Sequence, residues 1–385
     1  MHIRRLLASA TVTAASIGAL GLPAGAEAEV GCGSVITAST TLTADVAGCA
    51  GDALTIGARG VTLDLGGFTV SSIDGVGIRS AGPDYVTIKN GIVQGATTGI
   101  AMSDAYRAAI SNVDAVGGEG NDPAHDTMIG VSLQRVDRSA ISDSSANGMD
   151  GLVMRDSNNN RVTHTTGSGG PDNDVQVRLV GSDNNTFTND SFIGGGYENV
   201  VLTDSHDNTF DSNALSGSNG GPIMLVGSNR NRIRWNTTGS ECCGIEIVNA
   251  ADNLVQGNVG TGGLDTGISV RSSIRTMIVA NQVATITVGA SARTTVRGNV
   301  LTSKGDTDGI LIAADSTRSE LRGNVITGFA DDGIDVEAPG TILRGNTTND
   351  NGDLGIEAVA GVIDRGGNEA SGNGNPLQCV NVTCS

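Results

Sequence analysis

Along most of the chain, apolar residues come in pairs separated by a single residue, usually behind a glycine, in the phrase Gly-(Ile/Val)-x-(Ile/Val). The first apolar residue of each pair falls at Ile78, Ile100, Val131, Leu152, Val175, Val200, Ile223, Ile245, Ile268, Ile286, Ile310, Ile334 and Ile356. The mean interval between these anchors is about 23 residues. Apolar residues two apart share one face of a strand, whereas a helix would need spacings of three and four. A short strand returning at such a period cannot bury its own apolar side, so each repeat must stack on the next. The pattern therefore predicts an all-β solenoid, a parallel β-helix of about 13 coils, with each anchor and the residue two beyond it pointing inward.

A polar rhythm accompanies the apolar one. Asparagines recur at Asn189, Asn213, Asn236, Asn258, Asn281, Asn299, Asn324, Asn346 and Asn368, several of them in near-identical RGN phrases. Stacked amides satisfy one another and the turn backbone, so the stripe reads as a buried structural ladder. A ligand-binding stripe is the other reading, but the ladder has no focus.

The ends of the chain add the compartment. Residues 1–28 have a secretion signal's layout: Arg4 and Arg5, then an apolar run to Leu22, then small residues suited to cleavage. That run is too short and too weakly apolar to predict a membrane anchor. Residues 29–70 read as an N-terminal cap with the first strands, 71–365 as the repeats, and 366–385 as a C-terminal cap. Six cysteines agree with an oxidising compartment, a secreted or envelope location. Their positions predict two local staples, Cys32–Cys49 and Cys379–Cys384, closing the unpaired ends of the solenoid. The adjacent Cys242 and Cys243 are expected to stay reduced within the coil, because a bridge between neighbours needs strained geometry.

Charge and aromatic content narrow the partners. With 23 basic and 41 acidic residues the chain carries −18, which excludes a nucleic-acid footprint. The nine aromatic residues form no stripe at the repeat period. Neither membrane insertion nor oligomerisation is expected.

The DLGGFTV opening and the repeated GI-x-(I/V) … N phrases resemble secreted right-handed parallel β-helix proteins of the pectate-lyase-like superfamily. The resemblance covers roughly residues 30–375 and implies a right-handed coil. It also implies a range of activities, since the superfamily holds polysaccharide lyases, hydrolases, uronate epimerases, copper-associated periplasmic proteins and many non-catalytic members. Asp122-Pro123-Ala124-His125-Asp126, in a coil lengthened by an insertion, is similar to the Asp-Pro-His-(Asp/Glu) motif of the mannuronan epimerases, with an alanine added. Asn147-Gly148-Met149-Asp150-Gly151 matches their second phrase. The epimerases' tyrosine just before the first motif is absent here.

Counting from the anchors places Gln134, Arg155 and Arg178 in one outward ladder beside these residues. Asp122, His125, Asp126, Asp150, Arg155 and Arg178 are thus the candidate catalytic set. His125 or Asp126 would act as base, and the arginines would hold a uronate carboxylate. The alternative is a charge-balanced surface loop. The histidines occupy different turns and the methionines are scattered, so neither forms a metal-ligand pattern.

A second cluster is acidic: Asp308, Asp331, Asp332 and Asp335, with Asp308 and Asp332 at the same phase of successive coils, as are Asp335 and Glu357. Like charges one coil apart predict either a bound cation, calcium by donor type, or a solvated acidic face relieved by Arg318, Arg322 and Arg344. No other cofactor is expected. The functional expectation is a secreted, non-catalytic scaffold binding polysaccharide or another envelope component. A polysaccharide lyase or C5-epimerase is the first alternative, and a copper-associated periplasmic protein the second.

Overall fold

The structure, a computed structural model, describes residues 30–118, 128–169, 175–240, 243–260, 267–302 and 307–385. The compact unit Gly31–Ser385 is a solenoid of short parallel strands, and no helix occurs among the described residues. One face is a fifteen-stranded parallel sheet running from Ser34–Ile36 to Ile356–Ala358, one strand per coil. The remaining strands pair coil to coil in the same parallel manner on the other faces. This is the parallel β-helix expected from the period, with the right hand that the resemblance implied and two more strands in the long sheet than the thirteen anchors predicted, because stacking already begins at Ser34.

The inward residues explain the stack. Ile223, Ile245, Ile268, Ile286, Ile310, Ile334 and Ile356 are in register, each over the last. All are buried, as are the residues two beyond, such as Leu225, Ile247 and Val270. Each coil thus buries its apolar pair only against its neighbours, the reason that single coils are unstable alone. Phe187 and Phe210 stack face to face at 4.5 Å in the same interior.

The asparagine ladder is structural, as expected. The backbone amide of Asn258 donates to Asn281 Oδ1 at 2.9 Å, while the Asn258 side-chain amide donates to the Ile233 carbonyl at 2.9 Å. The same pair of bonds recurs from Asn213 to Asn346. One rung differs from the sequence reading. Asp190, not Asn189, occupies the ladder: the Thr165 amide donates to Asp190 Oδ1, and the Asp190 amide to Asn213 Oδ1. Asn189 instead takes a left-handed turn conformation beside it, φ 57°.

Disulfides join Cys32 to Cys49 and Cys379 to Cys384, near the two ends of the stack. Cys243 is also disulfide-bonded, which corrects the expectation of a reduced thiol; Cys242 lies outside the described residues. An oxidising compartment favours pairing of any thiol with a partner in reach.

Candidate functional site

Of the sequence-predicted catalytic residues that the structure describes, Arg155 and Arg178 are partly exposed on the long sheet, and Asp150 is buried where its strand begins. Asp150 opens the strand Asp150–Arg155, two residues before the inward Leu152. Gln134 and Arg155 are in register, as the anchor count implied. Arg178 is not. It pairs with Val153, and Val180 takes the place opposite Arg155. The apolar pair VQV misled the count by two residues, because Val177, not Val175, stacks on Leu152. Asp122, His125 and Asp126 lie outside the described residues.

What the register does bring together is Asp150 and Arg178. The guanidinium donates to both carboxylate oxygens, Nε at 2.8 Å and Nη2 at 3.1 Å, and the Val175 amide donates to Oδ1 at 3.3 Å. The Asp150 side chain is only 7% exposed. Nearby, Arg79, Thr98, Met102, Ser132, Gln134 and Arg155 line an open cleft of about 370 Å³. Its walls offer guanidinium, amide and hydroxyl groups along four successive coils.

The Asp150 arrangement is a repeated clasp. In the first coils the Val76 amide donates to Asp52 Oδ1 at 3.0 Å, and Arg79, three residues on, grips the same carboxylate through Nε and Nη2. That hydrogen-bonded guanidinium holds the Asp52 carboxyl below its usual range. The backbone half of the clasp appears twice more: the Asp332 amide donates to Asp308 at 3.1 Å, and the Leu354 amide to Asp332 at 2.7 Å. Here, however, the position three residues on, where arginine belongs, is Asp335 in one coil and Glu357 in the next.

Asp308, Asp331 and Asp332 offer carboxylate oxygens within 4.8 Å of one another. Burial first, and then neighbouring carboxylates, push Asp332 up to about 7 and Asp335 to about 6, and raise Asp308. The arginines that a solvated face would need are elsewhere. Arg322 and Arg344 stack on each other on a different face, and Arg318 sits in a turn.

Two further carboxyls escaped the sequence reading. Glu198 lies in the row of Asp150, two coils later, and is 9% exposed. Burial pushes it up to about 7, with Glu246 adding to the rise and its own backbone amide and Arg178 opposing it. Its place two residues before the Val200 anchor is the signal that could have found it. Asp190, in the asparagine ladder, is likewise pushed up to about 7, chiefly by burial.

Soft donors do not converge among the described residues. Cys32, Cys49, Cys243, Cys379 and Cys384 are all disulfide-bonded. His206 Nδ1 accepts the Asn229 amide at 3.1 Å, and Met102 and Met154 are buried in the core. The one described group able to hold a metal is the three-carboxylate cluster.

Residues 119–285 and 263–373 match the family described as periplasmic copper-binding protein (NosD). No curated protein matches the chain in sequence. Among solved structures, a variant catalytic domain of GH87 alpha-1,3-glucanase in complex with nigerose is similar at TM-score 0.50 and 14% identity, over 78% of this chain and 63% of that one. The Azotobacter vinelandii mannuronan C-5 epimerase AlgE6 A-module gives 0.49 and 12%, over 89% and 88%. The Dettilon tailspike protein gives 0.46 and 12% over 73% of this chain, which spans 58% of the tailspike's length. At such identities the likeness concerns the fold alone.

Proposed function

We propose, for a chain that belongs to the periplasmic copper-binding protein (NosD) family, that it serves in the cell envelope as a scaffold that binds polysaccharide on the outer face of its long sheet without turning it over. The observation that carries this reading is the Asp150–Arg178 clasp. Asp150, the one carboxylate of the candidate catalytic set among the described residues, has both oxygens engaged by Arg178 in a nearly closed site, a position poorly suited to relaying a sugar proton. The equivalent Asp52–Arg79 clasp in the first coils shows the same arrangement holding one coil to the next. Separating Asp150 from Arg178 would leave a nearly buried carboxylate without its partner, at a cost of about 3–5 kcal/mol.

The neighbouring cleft suits recognition. Ser132, Thr98 and Gln134 can bond sugar hydroxyls, and Arg155 favours a polymer that bears carboxylates. Immobilised alginate or pectate should therefore retain the mature protein. A Gln134→Ala, Arg155→Ala variant should bind at least tenfold more weakly at an unchanged melting temperature. Equal retention of variant and parent would remove the cleft from the account.

Copper does not fit the described residues. Their cysteines are disulfide-bonded, the exposed Met277 does not join a cluster of donors, and the converging donors are all carboxylate oxygens, which suit hard cations. The proposal accordingly extends to a calcium-type cation at Asp308, Asp331, Asp332 and Asp335. The clasp comparison favours it, because carboxylates stand where two other clasps place a guanidinium.

A further inference from the structure

Each coil turns one corner on a left-handed residue, and this row of corners differs sharply between the two halves of the stack. In the later coils it is filled by Gly257, Ala280, Gly298, Gly323, Gly345 and Gly367, so the fold itself asks for no side chain there. The earlier coils place Asn112, Asp143, His164, Asn189, Ser212 and Trp235 at the same corner, each with φ between 49° and 60°. Asparagine and aspartate tolerate this conformation, but a bulky ring in it is a rare and costly choice.

Trp235 is the only tryptophan of the chain and is 55% exposed. Its ring lies along the backbone of the next coil, where a Cβ on Gly257 would collide with Cε3 and Cζ3. Glycine at that corner thus makes room for the ring. Beside it, Arg234 donates to Asp211 at 2.9 Å, a polar pair at the edge of an apolar plate. Three coils back, about 14 Å along the stack at parallel-strand spacing, the row opens into a groove of about 570 Å³. Glycines 67 and 91 form part of its floor, and Asn112, Asp114, Asp143 and His164 part of its walls.

We propose that this corner is a second glycan site, which takes a neutral hexopyranose polymer stacked on Trp235 and laid along the row towards the His164 groove. A pyranose presents a C–H face to an indole while its rim hydroxyls seek hydrogen bonds, and an amphipathic ring flanked by a polar pair meets both needs. The carboxylates of Asp114 and Asp143 set the charge preference. They repel a uronate chain, so this ligand differs from the anionic polymer proposed for the long sheet. The site stands independently of that reading, since it uses another face and another class of glycan.

The single tryptophan makes the test direct. Intrinsic fluorescence of the mature protein is titrated with cellohexaose, maltohexaose and laminarihexaose, and with an alginate hexamer as the anionic control. A saturable blue shift with at least one neutral hexamer and none with alginate is expected. Trp235→Asn keeps a residue that accepts the left-handed corner, so it should fold. By calorimetry it should lose at least tenfold in affinity for the same neutral hexamer. No spectral change with any neutral hexamer at millimolar concentration, an equal shift with alginate, or undiminished binding by Trp235→Asn would each overturn the proposal.

Discussion

Asp190 shows how much a single residue can change a repeated structure. The ladder asparagines from Asn213 to Asn346 donate their side-chain amides to a carbonyl of the coil below, as Asn213 does to Phe187 at 3.2 Å. A carboxylate has no hydrogen to give, and Asp190 Oδ2 is buried without a protein partner. Only the protonated acid can act as a rung, in keeping with its rise to about 7. Among charged groups on the packed strands, Arg161 is the one that favours the ionised form, and it is outweighed by burial. The folded state thus holds a proton that the unfolded chain releases above about 4. This contribution to stability is complete below the unfolded value and is lost as pH rises through about 7. Asp332 at about 7, Asp335 at about 6 and Glu198 at about 7 act in the same direction. Melting temperature should therefore fall between pH 5 and pH 8. Asp190→Asn should raise stability at pH 8 by roughly 2–3 kcal/mol more than it does at pH 5, as measured by thermal unfolding across pH. An equal effect at both values would mean that Asp190 is ionised in the fold.

At the scale of strands and coils, the clasp decides where charge is tolerated. Asp52–Arg79 and Asp150–Arg178 neutralise a capping carboxylate within the protein, whereas Asp308 and Asp332 face Asp335 and Glu357. Millimolar calcium should raise the melting temperature at pH 8, by mass action on the folded state. The rise should shrink by more than half in an Asp308→Asn, Asp332→Asn variant, which should itself be more stable than the parent without calcium. A wild-type melting temperature that ignores calcium would leave the carboxylates to protonation alone. The two acids at equal phase were legible in the sequence, because Ile310, Ile334 and Ile356 keep a clean register. The missing guanidinium was not. It emerges only when Asp52 and Asp150 are seen to bond the next coil's backbone, a contact that no spacing rule contains.

For the molecule as a whole, the apolar period carried the solenoid and its parallel pairing, because burial between coils leaves no other place for Ile245 and Ile247, and the cysteine positions carried the disulfides near its ends. Site residues were less legible for two physical reasons. A strand with a two-residue side-chain period gives no warning when its anchor is misplaced by two, so Val175 and Val177 looked equivalent while Arg178 moved off the Arg155 row. Burial of a carboxyl, which sets the behaviour of Glu198 and Asp190, depends on coils far from it in sequence. Family membership points to the envelope, and the proposal that the protein holds a polymer without altering it rests on the closed Asp150–Arg178 pair. Proton NMR of alginate incubated with the mature protein and calcium tests both halves at once. The account predicts broadening of the polymer signals by binding, with no unsaturated product and no inversion at C5. New signals from unsaturated or inverted residues, absent with Asp150→Asn, would contradict it and make the clasp part of an active site.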